Sequence, residues 1–431
     1  MIYKKKTILG LVTLCSILSS GAYAKENTLQ LEFPSSFFNE FSDEKQSDFW
    51  KNYSYSAESI INNLSNIGTY GAIKLHDKFD LENKTEKERI LFLLTVGSLK
   101  AKFDFTNTVF FGHEFIHFQN GNNLGGSENY FRNSETGEEV SFLDFYLELL
   151  ISGKTQGPAV TKWNPEDYQD FINNPKRIQH ISNPLNWQME YSSKWIEDSL
   201  LNENKTVFDI SNFLFNRGYM TSYYIGDLSR GDGFSGEAGD PWKYAKHLEQ
   251  FTNNTQDENL KKITTISAIS MLLSHSLWSH VNNYESYIST GDYKIENEFI
   301  KTPLGEITWD IETYQNVENF SIKPKVFFNR EENGFKADKL LYSVGFEQSV
   351  LGNDESELTL GIHGKWGEFS TSTEMSFNDS NQFLELYSGY KFNEKSELFA
   401  KAQISNGTTL KGERLAPGEN SNFALGIKVN F

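Results

Sequence analysis

From about Leu304 to its last residue the chain changes from helical spacing to strict alternation, and no other feature constrains its fold as tightly. Leu358, Leu360, Ile362 and Trp366 fall on one face of an extended segment, with Thr359, His363 and Lys365 on the other. Ile307 to Ile311, Ile322 to Phe328, Tyr342 to Glu347, Thr373 to Phe377, Leu384 to Phe392 and Leu398 to Ile404 repeat the scheme, and Phe423 to Phe431 closes it. Asn-, Asp-, Gly- and Ser-rich turns separate these eight segments, so the sequence predicts about eight antiparallel strands. The second face mixes both signs of charge: Asp310, Glu312, Lys323, Lys325, Glu347, Lys365, Glu385, Lys391 and Lys401.

Phe423, Leu425, Ile427, Val429 and Phe431 occupy every second position of the closing segment. A final strand ending on an aromatic residue resembles the assembly signal of Gram-negative outer-membrane β-barrels. The resemblance implies a closed barrel over residues 301–431, with apolar side chains toward lipid and a packed polar interior. A soluble barrel or sandwich, with the apolar face turned inward, is the alternative that the same alternation allows. An even-stranded barrel brings both its ends to the periplasmic side, which makes Asn406 to Ser421 an external loop and residues 25–300 periplasmic.

The start of the chain agrees with export. Lys4 to Lys6, the apolar run Ile8 to Leu18 and the small-residue site Ala22-Tyr23-Ala24 read as a secretory signal over residues 1–24, with cleavage before Lys25. Cys15 lies inside that segment, so neither a disulfide nor a cysteine ligand is expected after it. A formal net charge of −18 makes nucleic acid a poor partner. Ile90 to Leu99 is stopped by Lys100, and serines and histidines interrupt the segment around Met271, so no transmembrane helix is expected. Residues 25–300 therefore read as a mainly α-helical domain, with helices at Asp43–Ile67, Glu86–Lys102, Val140–Ile151, Pro165–Ile181, Val207–Tyr224, Trp242–Thr252 and Ile263–Tyr287, and one around Glu190 running to about Asn202.

Within that half stands Phe110-Phe111-Gly112-His113-Glu114-Phe115-Ile116-His117-Phe118. Two histidines four apart on a helix project from one face and can share a metal ion, and the glutamate between them lies where it can take a proton from an attacking water. Neutral imidazoles leave the ion Lewis-acidic, and the carboxylate can return its proton to a leaving group. The uncharged neighbours make this a largely buried helix, with Gly121 as its expected stop.

The motif resembles that of the zincin metallopeptidases. His117 is followed by Phe118-Gln119-Asn120-Gly121-Asn122-Asn123, without the third metzincin ligand, so the resemblance is to the gluzincin branch. It implies zinc held by His113, His117 and a glutamate from a later helix, with Glu114 as general base. Glu190, in Asn186 to Trp195, is the first choice for that glutamate, although Lys194 stands where the family often has an aspartate. Glu139 and Glu128 compete with it. His275 and His280, five apart, read as helix-packing residues, with an oxyanion role conceivable for one of them. The Gly/Asp-rich stretch from Gly226-Asp227 to Gly239-Asp240 reads as a surface loop or lid.

The expectation is thus an α+β multidomain chain: a helical metal-binding domain followed by an outer-membrane barrel of about eight strands. A zinc metallopeptidase acting on peptide is the first function class, with acyl or amide bonds of envelope material as a variant. A non-catalytic outer-membrane structural or binding protein is the second.

Overall fold

The computed structural model describes residues 30–34, 53–123, 128–132, 138–140, 145–146, 159–162, 175–201, 205–230, 239–303, 305–329, 339–379, 381–393, 396–406, 410 and 421–430. Its C-terminal part is an antiparallel meander of β5 (Ile300–Thr302), β6 (Gly305–Gln315), β7 (Asn319–Asn329), β8 (Lys339–Gly352), β9 (Ser356–Trp366), β10 (Phe369–Phe377), β11 (Gln382–Asn393), β12 (Ser396–Ser405) and β13 (Ser421–Asn430). All eight segments expected from the alternation are strands. Two further strands of this sheet were not expected: short β5, and β1 (Gln30–Pro34), which pairs antiparallel with β13 from Gln30↔Asn430 to Pro34↔Gly426 and makes the sheet ten-stranded.

The sheet turns its charged face inward and its apolar face outward. Asp310, Glu312, Lys323, Lys325 and Glu347 are buried, while Phe346, Leu358, Leu360, Ile362 and Leu398 are exposed on the opposite face. A period-two strand forces that choice on every residue at once.

The expected closed barrel does not form. Among the described residues the outer strands β1 and β5 do not pair, so the sheet stays open. The reason lies at β6, where β5 covers only Gly305 to Ile307 and helices take the rest of the edge. Ile311 N donates to Ser274 Oγ at 3.0 Å, and Ile311 O accepts from the Arg217 guanidinium. Gln315 N and O both pair with the Asn186 side chain at 2.8 Å. Backbone groups of an edge strand need partners, and here helical side chains supply them in place of another strand.

The helices are α1 (Tyr53–Lys78), α2 (Glu86–Phe92), α3 (Ser98–Val109), α4 (Phe115–Asn123), α5 (Pro175–Leu201), α6 (Ile210–Arg230), α7 (Asp240–His247), α8 (Gln256–Leu273) and α9 (His275–Thr290). Capping boxes start two of them: Thr85 with Glu88 on α2, and Thr255 with Glu258 on α8. From α2 to α4 the chain is one helical run through two π-helical turns, Leu93–Gly97 and Phe110–Glu114. The helix expected over Ile263–Tyr287 is broken at Ser274, whose extended backbone separates α8 from α9 and frees its hydroxyl for β6. Glu139 begins not a helix but β3 (Glu139–Val140), which with β2 (Glu128–Arg132) and β4 (Ala159–Lys162) forms a small second sheet. Most of the helix expected at Val140–Ile151, and residues 43–52 and 165–174 of two others, lie outside the described residues.

Long α5 lies along the charged face of the large sheet. Ser193 Oγ donates to Glu312 at 2.6 Å, Lys194 pairs with Glu385 at 2.5 Å, and Glu197 with Lys325 at 2.5 Å. From α1, Glu58 reaches Lys401 at 2.8 Å. The helices keep apolar cores of their own, one around Trp195, Phe213 and Tyr287 and another around Phe110, Phe111 and Trp187. Burying each side chain of that size contributes roughly 1.5–3 kcal/mol.

Candidate metal centre

His113 lies in the second π-helical turn and His117 in the first turns of α4. Phe110, Phe111, Phe115 and Ile116 are buried with Phe131, Phe145 and Trp187, which fixes the roll of this helix. The two imidazoles are left to face α5, α6 and α7. Gly112 sits close under both neighbours: a Cβ there would stand 3.1 Å from the Gln188 side chain on α5 and 3.3 Å from that of Asn216 on α6, so a larger residue would make those side chains give way.

Asp240 completes the cluster. It is the first residue of α7, after Gly239 and before Pro241. Gly239 packs directly on the Asp227 carboxylate, leaving no room for a side chain. That carboxylate accepts from Trp242 N at 3.1 Å, satisfying one orphan N–H of the helix start. Asp227 thereby ties the α7 terminus to α6, and from that terminus Asp240 reaches the histidines.

Asp240 Oδ2 stands 2.8 Å from His117 Nε2 and 3.3 Å from His113 Nε2. The imidazole rings are nearly perpendicular with centroids 4.7 Å apart. All three residues are buried, and their ligand-type atoms lie within 4.8 Å of one another. Two nitrogen or oxygen ligands on one tetrahedral zinc stand about 3.3 Å apart, so the donor set fits such an ion in number and type, and Asp240 stands at or inside that spacing from both histidines. Both Nδ1 atoms are buried without a hydrogen-bond partner among the described residues, so packing orients the rings. His113 lies against Tyr219 and Tyr223, and His117 against His180.

Charge and burial compete at His117 and at Asp240. Burial opposes charge on His117, but the Asp240 carboxylate outweighs it and, with Glu114 adding its own charge, raises the imidazole pKa above its ordinary value. Burial likewise works against ionised Asp240, yet His117 and the hydrogen bonds from both histidines hold its carboxyl well below the usual range. Burial and the adjacent His117 push His180 well below the imidazole range, so it stays neutral.

The two histidines expected as ligands are thus brought together, with half-buried Glu114 on the same helical turn. Glu190 is not part of the group. It lies on α5 beside Lys194 and Glu312, lining a separate cavity of about 390 Å³ between α1, α5 and strands β9 to β13. Glu139 is exposed on β3, and Glu128 lies in β2. His280 packs between Trp195 and Phe213, while His275 meets Thr308 Oγ1 at 2.9 Å, so the packing reading holds for both. In the sequence Asp240 closes a Gly/Asp-rich stretch with the composition of a loop, which hides it as a donor. The available signal was Gly-Asp-Pro at a helix start, where proline favours the first turn. Residues 231–238 of that stretch lie outside the described residues.

No protein-family model matches this chain, and neither a curated protein nor a solved structure matches it.

Proposed function

We propose that this protein is a zinc-dependent hydrolase held in the outer membrane, with His113, His117 and Asp240 as metal ligands and Glu114 as general base. The observation that carries the reading is the convergence of both histidine Nε2 atoms on one buried aspartate oxygen, with Glu114 on the same turn. Two imidazoles and one carboxylate form the donor set of a catalytic zinc with one position left open. An ion held there would acidify water and polarise a substrate carbonyl. Glu114 takes the proton of the attacking water and passes it to the leaving group. Neutral His180, with Tyr219 and Tyr223, encloses the group and keeps bulk water from competing.

Peptide-bond hydrolysis is the first reading of the substrate, because the motif resembles that of the zincins. Acyl or amide bonds in envelope material are the variant. Supporting the outer-membrane reading are the exposed apolar face of the sheet, the charges buried behind it and the secretory pattern of residues 1–24. The second reading, a non-catalytic outer-membrane protein, draws on α5, which fills the charged side of the sheet as a plug would.

Elemental analysis of the detergent-purified protein separates the two. The hydrolase reading expects about one zinc per chain, as in a mononuclear site, kept in Glu190→Ala and lost in His113→Ala and Asp240→Ala. No zinc in the unsubstituted protein, even after reconstitution, would leave the plug reading standing.

A further inference from the structure

The sheet and the helices share one pattern of exposure. On α8 and α9 the exposed side chains change from Lys261 and Lys262 to Ile269, Leu272, Leu273, Trp278 and Val281, then back to Asn282 and Glu285. On the run from α2 to α3 they change from Glu86 and Glu88 to Leu91, Leu94 and Leu99. The other side of that run is polar inside the protein, where Lys100 meets Asp104 at 2.5 Å. No described helix is long and apolar enough to cross a membrane as an independent span. The flank of α8 stands beside the open edge of the sheet, where Trp309 Nε1 on β6 donates to Leu273 O at 2.9 Å, and α2 joins it through α9, where Arg89 donates to Ile288 O. The apolar surface of the strands thus continues onto the helices, with polar residues above and below it.

The two ends of this belt are distinguishable. Gln30 pairs with Asn430, so the first and last described strands place their outer ends together, on the side of the β9–β10 and β11–β12 turns. The metal group is at the other end. α7 sits on the β6–β7 turn, where Tyr244 Oη donates to Asn316 O at 2.9 Å and His247 meets Val317 O at 2.6 Å. Along α5, His180 lies roughly 9 Å beyond the Asn186–Gln315 contact at about 1.5 Å per residue. Arg89 ties the opposite end of the helical run to Ile288 O at 2.9 Å. From there to His113 the run climbs roughly 36 Å, more than the roughly 30 Å of a bilayer's hydrocarbon core.

We infer that the bilayer girdles both the sheet and the exposed flank of α2, α3, α8 and α9, and that the metal group sits at the rim opposite the outer ends of β1 and β13. This rests on the outer-membrane reading above. In a Gram-negative envelope both ends belong to the periplasmic side. The metal centre then faces outward, and its substrate arrives from the cell exterior or the outer leaflet. That reverses the periplasmic placement expected from the sequence.

Single-cysteine labelling tests it, because Cys15 is the one cysteine of the sequence and lies in the expected leader. Lys261→Cys and Asp354→Cys mark the metal-side rim, Glu285→Cys and Glu368→Cys the opposite rim, and Leu272→Cys the belt. A membrane-impermeant maleimide added to intact cells should label the first pair, and the second pair only after permeabilisation. Leu272→Cys should resist that reagent throughout and react with a membrane-soluble maleimide. The reverse pattern at the rims would overturn the outward placement while leaving the membrane reading intact. Labelling of Leu272→Cys by the impermeant reagent would return α8 to water and overturn the helical part of the belt. Labelling of both rims alike in intact cells, or of neither rim until permeabilisation, would end the membrane reading itself.

Discussion

Two clusters of buried charge in this molecule are built from similar residues and differ in how their atoms are arranged. Between α5 and the sheet, Lys325 Nζ stands 2.5 Å from both Glu197 and Glu374. Lys194 meets Glu385 and Lys401 meets Glu58, so each lysine there has a carboxylate to answer it. At the rim, two imidazoles converge on a single carboxylate oxygen, and a raised His117 pKa marks the place a cation would take. The first arrangement uses charge to fasten helices to strands. The second leaves donor atoms directed at one point, which is what coordination requires and cohesion does not.

The sharpest test of the contrast is Glu114→Gln. It should lower hydrolysis by roughly 10²–10⁴-fold while zinc content stays unchanged, as measured by turnover beside elemental analysis; loss of zinc would make Glu114 a ligand. Next in size, Lys325→Met strands Glu197 and Glu374 without their partner. Urea unfolding in detergent should show a loss of about 3–5 kcal/mol, with the metal site intact.

Zinc binding should also depend on pH at the rim. His117 has a raised pKa, so in the metal-free protein it is protonated at and below its ordinary value, and an ion must displace that proton. Apparent zinc affinity should fall about tenfold, or about 1.4 kcal/mol, for each pH unit below the raised value. A flat titration would remove His117 from the ligand set. Smallest is Glu190→Gln, expected to keep its zinc and shift stability by about 1 kcal/mol; a drop in zinc content would move Glu190 from the fastening cluster to the metal.

The strands were legible because a period of two is written in adjacent residues: Leu358 to Trp366 and Leu384 to Phe392 lie in β9 and β11, where the alternation puts them. The helix break at Ser274 was not legible. It depends on Ile311 N, a backbone group of a distant strand, needing that hydroxyl. Barrel closure failed as an expectation for the same reason, since no local pattern says that Asn186, Arg217 and Ser274 will occupy an edge left open by a three-residue β5. Two of the three residues of the candidate metal site were readable as a four-residue helical spacing. The third was hidden 123 residues away from His117.

By itself the sequence determined which residues alternate, where charge meets apolar surface and which two histidines share a helical face, because these follow from the repeat of a strand or a helix. Tertiary structure alone decided that Asp240 and not Glu190 joins them. α5 places Glu190 beside Lys194 and Glu312, whereas Asp227 of α6 and Gly239 anchor the start of α7, from which Asp240 reaches His113 and His117. A ligand contributed from another helix is fixed by where that helix packs, and packing is a property of the assembled chain rather than of any segment in it.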